Sequence, residues 1–300
     1  MSLRQIVFVK QVPDTNNITG EAMKKDGTVN RAALPAIFNP EDLHALELAL
    51  QLRERYGGQV AVCTMGPPSA TSVLRRALYM GADETILLTD RAFAGADTLA
   101  TSYTLACAAR KYGDVDLVLC GRQAIDGDTA QVGPQVAEKL AVTQLTYVED
   151  VLKIDAGKVQ ARCLIEGGYE VLEAPTPALL TVVASANAPR PPGARRLMQF
   201  KKAQTRSELL ARHGGNDYED ANLLADEERR LRDNGLWIHE WGAEDIGAES
   251  ERIGMPGSPT KVKKIESVVL GGKHEYKEVP PTQEGIDELV HELIDEHILS

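Results

Sequence analysis

Cysteine is scarce in this chain of 300 residues, and the four present, Cys63, Cys107, Cys120 and Cys163, form no C-x-x-C pair. Free thiols in a reducing compartment are the simplest reading. Excess positive charge is also missing. There are 33 Lys and Arg against 44 Asp and Glu, a net charge of -11 and a pI near 5.1. Such a chain binds phosphate backbones poorly, so nucleic acid is not an expected partner. No apolar run approaches the roughly 18 residues that a membrane helix needs. The start "MSLRQIVFVK" reaches a strand too soon for a secretion signal, and a soluble, cytoplasmic protein is expected. Neither G-x-G-x-x-G nor G-x-x-x-x-G-K-[ST] occurs at a strand end. The His/Cys/Glu clusters of metal sites and a clear nucleophile–base pair are lacking too. "HELIDEH" (His291–His297) holds its histidines six apart, so they face different ways, unlike the i,i+4 pair of a zinc helix.

What is present is apolar mass, 43% of residues, in a repeating order. "QIVFVKQV", "QVAVCTMG", "ETILLTD" and "VDLVLC" are short buried-strand runs. Between them lie "EDLHALELALQLRERYG", with Leu43, Leu46 and Leu50 on one stripe, then "SATSVLRRALYMGA" and "DTLATSYTLACAARKYG". Ser69 is a candidate N-cap of the second helix, and Gly57 and Gly81 are stop signals. Apolar strands separated by amphipathic helices predict an α/β fold with a doubly wound, mostly parallel sheet. After Leu140 the pattern alternates, with turn signals at Asp155–Gly157 and at Gly167-Gly168, which predicts antiparallel additions. "PALLTVVAS" is one more buried strand. "NAPRPPGARR" is a Pro/Arg-rich loop, and residues from about Lys201 to Asn234 are charged and helix-prone. The division expected is a nucleotide-binding domain at 1–200, a charged helical insertion at 201–236, and an extended C-terminal arm at 237–300. That arm wraps a partner or lies across the first domain. Trp237 and Trp241 read first as a contact with a partner, and second as a cofactor stack.

Ligands of doubly wound sheets sit outside the carboxyl ends of the strands. Here those ends carry "FVKQVPDT", "CTMGPP", "LTDRAFAGADT" and "CGRQAIDGDTA", rich in glycine, proline and hydroxyls. That composition suits a nucleotide site better than a hydrolase. Thr98 and Thr101 follow Asp97, a candidate N-cap. Thr129 and Ala130 follow Asp128, a second candidate. Free amides at both helix starts attract anions, and Arg122 adds a charge. Asp126 and Asp128 would repel a phosphate if they faced it. The favourable arrangement turns at least one of them onto backbone amides as a cap. Gly127 is a candidate for positive φ. Pro134 requires either that the helix starts near Gly133 or that it is kinked there. An ordinary strand–turn–helix connection is the competing reading of the whole loop. Cys63 and Cys120 read as buried structural thiols before ligand contacts.

Together, "VKQVPDT", "FNPEDLHALELAL", "TMGPP", "LRRALYMGADETILLTDRAFAGADT", "GRQAIDGDTAQVGPQ" and "GSPTKV" resemble the β subunit of electron-transfer flavoproteins. "RCLIEGGYEVLEAPTPALLT" resembles the downstream signature, with Cys163 moving its basic residue to Arg162. The resemblance spans nearly all of Arg4–Val262. The charged stretch near 201–234 is its main departure. It implies an adenine-nucleotide α-hydrolase-like fold and an α subunit that binds one FAD. It also implies an adenine nucleotide in this chain's own cleft. In simple shuttles that ligand is AMP. In the electron-bifurcating branch it is a second FAD, reduced by NADH. "DGDTAQVGP", "KQVPDT" and "DRAFAGADT" are most similar to the bifurcating branch, since the shuttle branch more often has a third acid and an Asn in this loop. Carried over by position, the nucleotide contacts are Phe8, Asn39, Pro40, Glu41, Met65 and Gly66, with Arg122, Gln123, Ala124, Ile125, Asp126, Gly127, Asp128, Thr129, Ala130, Gln131, Val132 and Gly133. Thr98 and Thr101 would serve an FAD pyrophosphate. Implied partners are the α subunit, an acyl-CoA dehydrogenase or quinone-linked oxidoreductase, and a low-potential carrier such as ferredoxin or flavodoxin. Redox activity is expected only in the αβ complex. The loop near Ala184–Leu197 would dock the acceptor, with Arg190, Arg195 and Arg196 as candidate contacts. A plain AMP-bearing shuttle and a nucleotide-sensing module without redox role are the alternatives.

Overall fold

A computed structural model describes residues 2–14, 35–213, 221–260 and 279–295. The parallel core is formed by β1 (Leu3–Phe8), β4 (Gly58–Met65), β5 (Glu84–Leu88), β6 (Leu117–Gly121) and β10 (Ala178–Val182). The short strands β2 (Gln11–Pro13) and β3 (Ala36–Phe38) pair separately and antiparallel. The long β7 (Thr143–Asp155), β8 (Lys158–Ile165) and β9 (Gly168–Pro175) extend one side, and β11 (His239–Trp241) closes the other. The nine strands of the main sheet run β11-β5-β4-β1-β6-β10-β7-β8-β9. β7 pairs parallel with β10 at its start and antiparallel with β8 beyond Val148. The pairing shifts register near Tyr147, whose φ is 55°, so a bulge turns one strand from the parallel core into the hairpin.

Alternation along each strand sorts the core into two layers. Val7, Val60, Val62, Leu87, Leu117 and Leu119 face α1 (Pro40–Tyr56) and α2 (Thr71–Met80). Ile6, Phe8, Ala61, Cys63, Ile86, Leu88 and Val118 face α3 (Thr98–Tyr112) and α4 (Val132–Leu140). These strands read as continuous apolar runs because helices cover both faces. α1 starts on Pro40, carries Glu41 and Asp42 in its first turn and Arg53 and Arg55 in its last, and stops at Gly57 with φ 76°. Each feature matches the end of the helix dipole where it sits. Gly81 stops α2 with φ 140°, but Ser69 does not cap it. A short 3-10 turn over Pro68–Ala70 leads directly into that helix, so a side-chain cap has no open amide to take.

The charged region forms α5 (Ala194–Phe200), α6 (Arg206–Arg212) and α7 (Ala221–Asp233). α6 begins on a capping box between Thr205 and Glu208, and Arg75 of α2 grips the same Glu208. After it the chain returns to the sheet: Ile238 is fully buried, and Ile246 and Ile253 join the α3 layer. Neither tryptophan lines the strand-end cleft described below. Arg232 lies over Trp237, and Lys111 lies over Trp241. α8 (Gln283–Asp295) leaves Ile286, Val290 and Ile294 exposed. His291 is on it, whereas the other half of that histidine pair, His297, and the apolar Ile298 lie outside the described residues. Among the described residues no helix is long and apolar enough to cross a membrane.

Candidate functional site

The chain order reverses beside β1: it runs outward to β4 and β5, then crosses back to β6 on the other side. A cleft opens at the carboxyl ends of these strands, the place such a reversal creates. Its volume is about 370 Å³, within the usual span of small-molecule sites. Phe8, Met65, Leu105, Cys120 and Val132 supply its apolar surface. Thr98, Thr101, Arg122, Gln123, Ala124 and the run from Gly127 to Gly133 supply most of the rest.

The run from Asp128 to Gly133 is unusual in backbone. Asp128 and Ala130 have φ of 48° and 51°, while Gly127 is not left-handed. The positive φ expected at the glycine thus falls on its two neighbours. Gln131 returns to the right-handed region at φ -93° and α4 begins at Val132, with no side-chain cap. A left-handed residue next to a right-handed one, as at Ala130 and Gln131, turns successive N–H groups to one side, the geometry of an anion-binding concavity. Among the described residues, no protein acceptor takes the amides of residues 129 to 133. Pro134 sits in the first turn of α4, where its missing N–H costs nothing. Gly133 is required by space: a Cβ there would lie 2.8 Å from Thr181 Cγ2 and 2.9 Å from Cys120 Sγ.

The two acids do not cap. Lys10 Nζ donates to both oxygens of Asp126, at 2.7 and 2.9 Å. Gln123 Nε2 donates to Asp128 Oδ1 at 2.9 Å. A cap at residue 128 is impossible because the helix starts later, at residue 132. Asn39, Glu41, Ile125 and Asp126 stand behind the cleft wall and latch the loop. Asn39 Nδ2 donates to Gln123 O, its Oδ1 accepts from Ile125 N, and Arg122 pairs with Glu41. Pro40 starts α1 and Gly66 follows β4, both outside the cleft lining. Arg122 Nε and Glu41 Oε2 are buried with no hydrogen-bond partner.

At α3 the expected cap is present. Asp97 Oδ1 accepts from Leu99 N at 2.9 Å and Ala100 N at 3.0 Å. These two amides are therefore taken, and the helix start offers a ligand the Thr98 amide and the hydroxyls of Thr98 and Thr101. Thr98 Oγ1 reaches across to Gln131 Oε1 at 2.9 Å, joining the two walls.

Sequence reasoning missed Val9, Lys10, Asp42, Ala96, Asp97, Leu105 and Gly121 as lining residues, and ranked a ligand contact at Cys120 only second. Lys10 and Asp42 were within reach, one in the strand-end run and one next to Glu41. Asp42 is buried, and its oxygens accept from Lys10 N at 2.8 Å and Gly121 N at 3.1 Å. Burial raises its carboxyl to about 7, against the hydrogen bonds from Asn39, Lys10 and Gly121 that pull it down. Cys63 and Cys120 are buried, and desolvation pushes both thiols well up, so neither is a ready nucleophile.

The acceptor-docking candidates divide. Arg190 is held by Glu47 through its side chain and backbone and by Glu54. Arg196 donates to Leu78 O and Ala82 O at the end of α2. Both therefore brace the loop from inside. Arg195, Leu197 and Met198 are among the exposed residues there.

Comparison with known proteins agrees with this geometry. The family model described as "Electron transfer flavoprotein domain" matches residues 26–206. The electron transfer flavoprotein subunit beta of Clostridium acetobutylicum is 42% identical over 294 residues, covering 98% of this chain and 99% of that protein. The caffeyl-CoA reductase-Etf complex subunit CarD of Acetobacterium woodii is 42% identical over 298 residues, covering 99% of this chain and all of that one. The acryloyl-CoA reductase electron transfer subunit gamma of Anaerotignum propionicum is 37% identical over 306 residues, again covering 99% of this chain and all of that one. With a cleft at the strand reversal and relatives spanning its length, this chain belongs to the electron-transfer flavoprotein family, as a β subunit serving electron transfer.

Proposed function

We propose that the cleft binds an FAD, that the chain works as the β subunit of a heterodimer, and that the heterodimer splits electron pairs taken from NADH. One electron goes to a high-potential acceptor, an acyl-CoA dehydrogenase or a quinone-linked oxidoreductase. The other goes to a low-potential carrier such as ferredoxin or flavodoxin. The observation that carries the reading is the set of unclaimed amides at residues 129–133, a run that lines the strand-end cleft. Such a concavity binds a phosphate without any basic side chain, which suits an acidic chain.

The residues present fit the group. The amides of Thr129 to Gly133 would hold one phosphate, and Thr101, with Thr98 once its hydroxyl leaves Gln131, would donate to a second. Arg122 Nε lacks a partner that a ligand oxygen would supply. Phe8, Met65 and Val132 would cover the flat, apolar part. A bound flavin supplies acceptance of a hydride and release of electrons singly. The protein's own part is to bury it and set its potential by hydrogen bonds. Two relatives carry the names of acyl-CoA-linked reductase systems, and the loop variants "DGDTAQVGP" and "DRAFAGADT" support the same branch. The loop near Ala184–Leu197 would dock the acceptor through its exposed Arg195 and Leu197.

One observation favours the plainer reading, AMP in the cleft of a simple shuttle. Asp97 spends its carboxylate on the first amides of α3, leaving a single strong anion site at the loop before α4. The test is nucleotide content of the co-purified αβ complex. Two FAD per heterodimer and rapid bleaching by NADH are expected. One FAD with one AMP, and no bleaching, would overturn the proposal and leave the shuttle.

A further inference from the structure

The "GSP" run at Gly257–Pro259 is far in sequence from every cleft loop, yet it is built against one of them. Met255 N donates to Ala94 O at 3.0 Å. Gly254 has φ 53°, and a Cβ there would stand 2.0 Å from Ala92 O. The segment thus lies flat on residues 92–97, at backbone distance. Ser258 is its polar centre. Its Oγ accepts from Asp97 N at 2.8 Å and donates to Gly254 O at 2.7 Å. Thr260 N donates to Asp97 Oδ2 at 3.2 Å. Asp97 is therefore gripped at its amide and at one carboxylate oxygen from outside, while its other oxygen caps α3.

Capping α3 needs only Asp97 Oδ1. The bonds from Ser258 and Thr260 act on the other side of the residue. They fix the direction in which Ala96, Asp97 and Thr98 line the cleft, and hence where the Thr98 hydroxyl meets Gln131. A rigid first shell of this kind sets affinity by removing the cost of ordering it on binding. We infer that Ser258 is a positioning residue of the nucleotide cleft, acting through Asp97 to hold the α3 wall against the anion loop. The inference rests on the proposed reading that this cleft binds a nucleotide.

The test uses the whole αβ complex, stripped of the nucleotide in this chain's cleft, titrated with AMP and with FAD. Ser258→Ala should weaken binding by about 3- to 10-fold, the worth of one hydrogen bond. Ser258→Thr, which keeps the hydroxyl, should restore it. Thr260→Pro, which deletes the second grip, should weaken binding in the same direction. The melting temperature of the stripped complex separates this from a merely structural role. Unchanged affinity in both Ser258→Ala and Thr260→Pro, whether or not melting falls, overturns the positioning role. A wild-type complex that takes up neither AMP nor FAD overturns the cleft reading itself, and the positioning role with it.

Discussion

Ala130 holds a left-handed backbone, φ 51°, without glycine's freedom. Such a residue is strained by about 1–2 kcal/mol, and strain of this kind collects where a loop must aim its amides. Ala130→Gly should therefore raise stability by about 0.5–1 kcal/mol, because strain relief exceeds the ~0.4–1 kcal/mol of extra freedom in the unfolded chain. The same change should weaken nucleotide binding by loosening the loop; urea melts and an AMP titration check the two halves. Gly133→Ala acts oppositely. Its new Cβ meets Thr181 and Cys120 below 3 Å, an overpacking worth about 1–3 kcal/mol. Displacing the start of α4 should cost at least about fivefold in nucleotide affinity, since 1 kcal/mol is about fivefold. Asp42 makes a pH-dependent prediction. Its folded carboxyl is raised from 3.8 to about 7, so the folded state holds this proton more tightly than the unfolded chain. Its contribution is greatest at low pH and is lost as pH rises through that window. Asp42→Asn removes the titration. The stability of the wild type minus that of the variant should fall between pH 4 and pH 7, then level off; a flat difference would refute the assignment.

The loop after β10 acts as an element whose stiffness comes from beneath. His44 and Asn187 exchange hydrogen bonds, Gly193 N donates to Tyr79 O, and Arg190 and Arg196 reach down to α1 and the end of α2. Burial pushes the Glu47 carboxyl up, but hydrogen bonds from Arg190 outweigh it and hold it below its usual range. A lowered carboxyl stabilises the fold above its unfolded value and loses that contribution as pH falls through the folded one. Arg190→Ala should cost about 2 kcal/mol, less than the ~3–5 kcal/mol of a fully buried pair because Arg190 keeps part of its surface in water. It should also remove that acid-side loss. Arg195→Ala should leave stability within about 0.5 kcal/mol and lower electron transfer to the acceptor, measured by the rate against acceptor concentration. The three arginines look alike in sequence, and nothing local distinguishes the brace from the exposed one. Glu47 and Arg190 meet across 143 positions, a distance that no motif reports. By contrast, the strands of the parallel core and α1 to α4 were legible, since buried parallel strands leave continuous apolar runs and glycine ends α1, α2 and α3.

At the scale of the whole molecule, the sheet's reversal beside β1 gathers groups from both ends of the chain around one cleft. Its position followed from strand order alone. Its detailed chemistry did not, because Lys10 and Asp126 are paired across 116 residues and Ser258 and Asp97 across 161. Strand β11 was equally hidden: three residues carry too little pattern to show, and they form only when β5 offers an edge. The same long-range closure gives a global test. A nucleotide that bridges the loop before α4, the start of α3 and the end of β1 binds the folded chain and not the unfolded one. It should then stabilise the αβ complex by about 2.7 kcal/mol at a hundredfold excess over Kd. Because the cleft draws on Lys10, Asp97 and Gly133 alike, the gain should appear as a rise of the entire unfolding transition, not of one early step. AMP and FAD titrated into the stripped complex should both shift it. FAD should shift it further at equal free concentration, where the tighter ligand has the larger ratio of concentration to Kd, if Thr98 and Thr101 take up the second phosphate. Equal shifts from the two would mean that the grip ends at the first phosphate, and the heterodimer would then be a shuttle.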